Sequence, residues 1–151
     1  MAGQDESSVA ALLGGPRHVG QSVRDSNDLV AATRKGLRPS SVVQLAAELD
    51  LPAERVAAAA GVSKRTWARR RLSLSRRDAR LRPDESDRLV RLARVVAMAI
   101  AVLGSIDRAR EWFSRPNRAL GGETPIALVD TDTGTRLVES VLGRIAHGVY
   151  S

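Results

Sequence analysis

The sequence predicts an all-α fold of six to eight helices, and three observations carry that expectation. Ala, Leu, Val and Arg dominate the 151 residues while aromatics make up only 3%, a composition that favours helix over sheet. Apolar residues recur at helical spacing from about residue 26 onward. The periodic stretches are punctuated by Ser or Pro where helices begin and by Gly where they stop. No segment calls for a strand, and there is no internal repeat or low-complexity tract.

Residues 1–25 mix Gly, Ser, Gln and Asp around one short apolar patch and are expected to form a flexible N-terminal tail. Ser26 or Asn27 is placed to cap a helix running to Lys35 and stopped by Gly36. Ser40 or Ser41 caps the next, with Val42, Val43, Leu45, Ala46 and Leu49 on its apolar side. Pro52 suits a helix start and opens 53–60, ended by Gly61. Ser63 caps a fourth helix from Lys64 to about Leu72, and the polar, basic run 73–82 reads as a connection. Pro83 opens the longest helix, which ends at Gly104. Its first half is amphipathic, with Leu89, Leu92 and Val96 inward and Arg88, Arg91 and Arg94 outward. Its second half is apolar on every side, which predicts a central buried helix. Ser105 caps a short helix to Phe113, and 125–129 has room for one turn or two. Asp132 or Thr133 caps the last helix, with Leu137, Val138, Val141, Leu142 and Ile145 on one face. The expected organisation is a tail (1–25), a helix-turn-helix domain (26–82) and a small second helical domain (83–151).

Composition narrows the function classes. Hydrophobic content of 43% marks a globular chain, and the absence of Cys removes disulfides and thiolate metal sites. Asp5 and Glu6 stand where a signal peptide carries positive charge, and the longest apolar run, 95–103, is about half a membrane span. The expectation is a soluble cytoplasmic protein with no membrane partner. Its net charge of +7 is concentrated: between Lys64 and Arg94 twelve basic side chains face four acidic ones, and the remaining 120 residues sum to −1. Such a stretch in a balanced chain suggests a polyanion.

That stretch begins inside a helix-turn-helix pattern. Val56 and Ala57 face the second helix, Gly61 turns the chain, Val62 packs beneath it and Trp67 anchors the second helix. The second helix presents Lys64, Arg65, Thr66, Arg69 and Arg70 to base edges in a DNA major groove. Arg71, Arg76 and Arg77 suit phosphates. One position departs from the pattern: three residues after Trp67 an apolar anchor is usual, and here it is Arg70. Either Leu72 takes that place or the helix docks less firmly.

The C-terminal half carries more particular motifs. Pro83-Asp84-Glu85-Ser86-Asp87-Arg88-Leu89 opens the long helix, and Ala109-Arg110-Glu111-Trp112-Phe113 closes the short one. Pro116-Asn117-Arg118-Ala119-Leu120-Gly121-Gly122 follows, then Pro125-Ile126, Thr131–Gly134 and the terminal run from Leu142 to Val149. Gly121-Gly122 permits a tight reversal between Leu120 and Pro125, and Asn117 can cap a helical turn. Gly143 inside a helix costs about 1 kcal/mol against Ala, which predicts a close neighbour on its face. Gly148 can end the helix and release Val149, Tyr150 and Ser151 as a short tail with one aromatic. Over about residues 29–151, and most densely over 84–151, the chain resembles the Xre/MbcA/ParS family of bacterial antitoxins, with Phe113 where that family usually has Leu.

The resemblance implies a partner, a cognate RES-domain toxin that consumes or uses NAD, whose active site the antitoxin C-terminus occludes. It also implies that this chain binds no cofactor itself. The toxin-facing residues on this reading are Arg144, His147, Gly148, Val149, Tyr150 and Ser151, with Trp112, Asn117, Leu120, Gly121, Gly122 and Pro125 holding the surface in shape. The second expected partner is promoter DNA bound for autorepression, and one helix-turn-helix reads so few base pairs that a homodimer is expected within a larger complex.

Catalytic readings fail on the residues. Asp130, Asp132 and Gly134 imitate the start of a calcium loop, but Val141 stands where the bidentate Glu belongs. A phosphatase-like Asp-x-Asp-x-Thr there lacks the following α/β domain, and His18 and His147 have no metal-ligand spacing. The expectation is a binding protein and not an enzyme. The competing class is a stand-alone helix-turn-helix repressor whose C-terminal half only dimerises it. A small RES-domain gene next to this one separates the two.

Overall fold

The computed structural model describes residues 2–148, with side chains from Glu6 onward. Within them lie ten α-helices and no strand: α1 (Ala2–Leu12), α2 (Pro16–Val19), α3 (Ser26–Lys35), α4 (Ser40–Leu49), α5 (Ala53–Ala59), α6 (Lys64–Arg70), α7 (Pro83–Leu103), α8 (Ile106–Ser114), α9 (Pro125–Leu128) and α10 (Asp132–Ala146). Single 3-10 turns follow α6 (Arg71–Ser73) and α8 (Arg118–Leu120). No single helix is long and apolar enough to cross a membrane.

The first two helices replace the flexible tail expected for residues 1–25. Val9, Ala10, Leu13 and Val19 are buried in the common core. Glu6 ties α1 down: both its carboxylate oxygens accept from Arg94 Nη2 at 3.3 Å, and Oε1 accepts from Ser26 Oγ at 3.4 Å. In α2, His18 Nδ1 lies 2.7 Å from Ser40 Oγ, and the His18 carbonyl accepts from the Arg38 N–H at 3.2 Å. These partners are distant in sequence, so local composition does not announce them.

Helix punctuation follows the sequence with small shifts. Ser63 and Ser105 cap α6 and α8, accepting from the N–H of Thr66 and of Arg108. Asp25 caps α3 in place of Ser26 or Asn27, and Thr131 caps α10 in place of Asp132 or Thr133. Neither Ser40 nor Ser41 caps α4; the helix opens after Pro39, and the Ser41 hydroxyl donates to the Arg38 carbonyl at 2.6 Å. A preceding proline already sets the backbone for a helical turn there.

α7 is the spine. Its buried face (Leu89, Leu92, Ala93, Val95, Val96, Ala99) meets α1, α3, α8 and α10. Its first turn is a polar lock. Glu85, only 3% exposed, accepts from the Arg82 N–H at 2.8 Å, the carboxylate half of a capping box, and pairs with Arg70 Nη1 at 2.6 Å. Beside it, the buried Ser86 hydroxyl accepts from the Leu37 N–H at 2.9 Å, and the Leu37 carbonyl accepts from the Leu81 N–H at 2.7 Å. The second half of α7 departs from the expected burial on all sides. Ala97, Met98, Ile100, Val102 and Leu103 are half-buried and Ala101 is exposed. This half lines an open groove of about 820 Å³ against α1, because no helix among the described residues covers that side.

The lock sets an expectation for stability. A buried ion pair adds little net energy, because desolvation offsets attraction, but removing one partner strands the other. Glu85→Ala leaves Arg70 half-buried without its carboxylate and the Arg82 N–H uncapped, and should lower folding stability by about 3–5 kcal/mol. Asp84→Ala, which breaks only exposed pairs with Arg82 and Arg88, should barely move the urea midpoint followed by circular dichroism.

Candidate functional site

α5 and α6 pack as a helix-turn-helix. Val56, Ala57, Val62 and Trp67 are all within 2% of complete burial, and Gly61 takes a φ of 79° at the turn. Trp67 is therefore the anchor expected of it. The anchor three residues later works differently from expectation. Leu72 is 86% exposed and takes no part, while Arg70 turns inward to Glu85. A charged residue occupies the anchor position because α7 supplies a buried carboxylate to meet it. Arg70 thus belongs to the internal packing and not to the expected DNA-reading set.

The remaining members of that set divide by what they touch. Lys64, Arg65 and Arg69 are exposed and make no ion pair among the described residues. Thr66 is half-buried, and its N–H and hydroxyl both meet the Ser63 oxygen, at 3.1 and 2.9 Å. It is committed to the cap. Arg71 pairs at 3.5 Å with Glu54, and Arg76 at 3.6 Å with Asp78, all four side chains substantially exposed. Exposed pairs of this kind cost little to exchange for another anion. Lys64 and Arg65 open α6, where the helix dipole adds positive potential, while Arg69 lies in its last turn.

The second surface is built from α8 to α10. Phe113 is fully buried, and the half-buried Trp112 meets its ring edge-on, centroids 5.3 Å apart at 88°. Trp112 lines a shallow cleft of about 270 Å³ with Leu103, Pro116 and Asn117. Phe113, the position where the sequence departs from the usual Leu, is in the closed core with Leu120, and Trp112 packs against it half-buried. Asn117 holds the next loop: its side chain accepts from the Ala119 N–H at 2.9 Å, its carbonyl from Gly122, and its N–H donates to the Glu123 carbonyl. Gly121 and Gly122, with φ of 68° and 85°, make the reversal that returns the chain to the buried Leu120 and Pro125.

α10 lies on α7 through Val138, Val141 and Leu142, and Arg91 of α7 pairs with Asp132 at 3.5 Å. Leu137, expected on the apolar face, is 44% exposed. The two glycines of this helix contrast. A β-carbon on Gly134 would collide with the Leu128 carbonyl, so α9 and α10 approach there only because the side chain is absent. A β-carbon on Gly143 would meet nothing within 4 Å, contrary to the expectation of a close neighbour. Next to it Arg144 is half-buried and His147 exposed, neither side chain bonded among the described residues, and Gly148 turns the chain with a φ of 68°. Val149, Tyr150 and Ser151 lie outside the described residues. α6 packs on α5 and reaches α7 through Arg70 and Glu85, whereas α10 packs along α7 and on α9, so the two surfaces rest mainly on different neighbours.

Known proteins divide this chain at the same helix. Residues 28–94 match the model of the antitoxin Xre-like helix-turn-helix domain, and residues 98–148 that of the antitoxin Xre/MbcA/ParS C-terminal toxin-binding domain. The chain is 30% identical to the antitoxin Xre of Yersinia enterocolitica over 136 residues, 89% of each protein. It is 46% identical to the antitoxin Xre of Pseudomonas putida over 72 residues, 48% of this chain and 45% of that one. With the antitoxin Xre of Photorhabdus laumondii the identity is 38% over 93 residues, 61% of this chain and 60% of that one.

The aromatic pair gives a second stability expectation. Phe113→Ala should cost about 3–5 kcal/mol, as large truncations in a closed core do. Trp112→Ala should cost less, because part of its ring already faces solvent. Equal losses in denaturant unfolding would mean that the cleft beside Trp112 closes in solution.

Proposed function

The chain belongs to the Xre antitoxin family, with a helix-turn-helix domain and a toxin-binding domain, and we propose that it silences a RES-domain toxin through the end of α10 while repressing its own promoter through α6. Membership makes it an antitoxin and not an enzyme, with a toxin and DNA as its partners. The RES identity of the toxin rests on the resemblance of residues 84–151 to antitoxins of such toxins. Occlusion rests on α10. A glycine that weakens a helix by about 1 kcal/mol with no neighbour of its own is accounted for when a partner's backbone approaches that face. Arg144 and His147 flank the approach, and Val149–Ser151 follow the Gly148 turn into the toxin's active site.

On the DNA side, Lys64, Arg65 and Arg69 read bases, while Arg71, Arg76 and Arg77 take phosphates. A dimer places two copies of α6 on an inverted repeat, which supplies the specificity that one helix lacks.

Two expectations test this reading. Arg69→Ala and Lys64→Ala should each weaken binding to the chain's own upstream DNA by about 1–3 kcal/mol in fluorescence anisotropy. Affinities equal to the parent's for both variants would end the assignment of α6. On the toxin side, Gly143→Ala should raise folding stability by about 0.5–1 kcal/mol yet impair growth rescue from the co-expressed toxin. Removing Val149–Ser151 should leave promoter binding intact and abolish rescue. Full rescue by the shortened chain would mean that inhibition comes from a broader surface.

A further inference from the structure

We propose that a second basic surface, formed where Arg17 of α2 and Arg38 ahead of α4 meet Arg76 and Arg77 of the segment between α6 and α7, grips the DNA phosphates flanking the half-site under α6. The inference rests on the reading of α6 as DNA-facing and extends it to Arg17 and Arg38, which lie outside α5 and α6.

Arg38 assembles the surface. Its backbone N–H donates to the His18 carbonyl at 3.2 Å, its Nη1 to the Arg17 carbonyl at 3.1 Å and its Nη2 to the Arg76 carbonyl at 3.3 Å. Three segments far apart in sequence are thereby drawn together, each bringing its own cation. The bonds go to carbonyl oxygens, so they fix the guanidinium without neutralising its charge. Arg80 behaves likewise, with Nη1 donating to the carbonyls of Arg77 and Ala79 at 2.9 and 3.0 Å. The carboxylate that pairs with this group is Asp78, 3.6 Å from Arg76, with both side chains at least 68% exposed. These tied segments carry five arginines, and among the described residues Asp78 is the carboxylate that pairs with them. The His18 imidazole registers the field: burial holds it below its ordinary range, and Arg17 and Arg38 push it down further.

Like charges held together raise the energy of the free protein and are relieved by a polyanion. DNA is the polyanion at hand. Arg76 stands six positions after Arg70, which places its backbone within about 21 Å of the end of α6, even fully extended. One turn of DNA rises about 34 Å, so phosphates next to an occupied half-site are within reach.

Arg17 tests the surface cleanly, because its side chain is exposed and makes no hydrogen bond or ion pair among the described residues. Anisotropy titrations across a range of salt would compare the parent, Arg17→Gln and Arg69→Ala on two duplexes. One carries the chain's own promoter footprint with its flanks, and the other is trimmed to the half-sites. Arg17→Gln should weaken binding to the long duplex and flatten its salt slope by about 0.9, one phosphate's worth, while matching the parent on the trimmed one. Arg69→Ala should weaken both. If Arg17→Gln matches the parent on both duplexes while Arg69→Ala does not, the flanking surface is wrong and α6 keeps its role. If Arg69→Ala also matches the parent, the reading of α6 falls and the flank falls with it. Loss of toxin co-purification by Arg17→Gln with DNA binding unchanged would assign the surface to a protein and overturn the proposal.

Discussion

Glu85 meets two demands at once, and the placement of the helix-turn-helix follows from them. Its carboxylate ends the first turn of α7, neutralises an arginine at a position where such folds use an apolar side chain, and does both at 3% exposure. A charge so enclosed is tolerable only while both partners remain. α6 therefore cannot tilt away from α7 without exposing a mismatch, and Ser86 extends the restraint to the loop before α4 through Leu37. The angle at which α6 leaves the body is set by this polar cluster as much as by Trp67.

The toxin-binding half is braced on the same helix by different means. Arg91 reaches Asp132 at the start of α10, and Arg110 of α8 donates to the carbonyl of Glu48 near the end of α4 at 2.6 Å. α6 and α10 share no residues and rest mainly on different neighbours, α5 for one and α7 for the other, which leaves both faces open to be occupied together. On the function proposed above, a toxin bound at α10 would shift DNA affinity by adding its own bulk or charge near the duplex, or by changing how many copies of α6 are presented.

Local chemistry was legible in the residues, and long-range chemistry was not. Ser63, Ser105 and Asn117 act on backbone two or three positions away, so spacing alone located them. Trp67 was legible because the helix-turn-helix spacing leaves one place for a large apolar residue. Residues 2–19 read as a tail because the partners of Glu6 and His18 are Arg94 and Ser40, which no local window contains. Arg70 read as a DNA contact because Glu85 lies fifteen positions on, although the Glu85-Ser86 pair in the opening motif of α7 carried the signal. Gly134 and Gly143 are the same residue type nine positions apart on one helix. One is a steric necessity and the other an open face, a difference that exists only in three dimensions.

The junction between the two matched regions falls within residues 94–98, inside α7 and not in a loop. That bears on where a recombination between two such chains could cross over. A crossover in the loop before Pro83 would separate Arg70 from Glu85 and Leu37 from Ser86, so both products would inherit a mismatched seam. A crossover near residue 96 keeps those bonds within one parent and asks the two halves to agree in helix phase and at the Arg91–Asp132 and Arg110–Glu48 contacts that cross it. Operator preference and toxin preference should therefore travel as blocks that meet in mid-helix, and phylogenies of the two blocks should part company there.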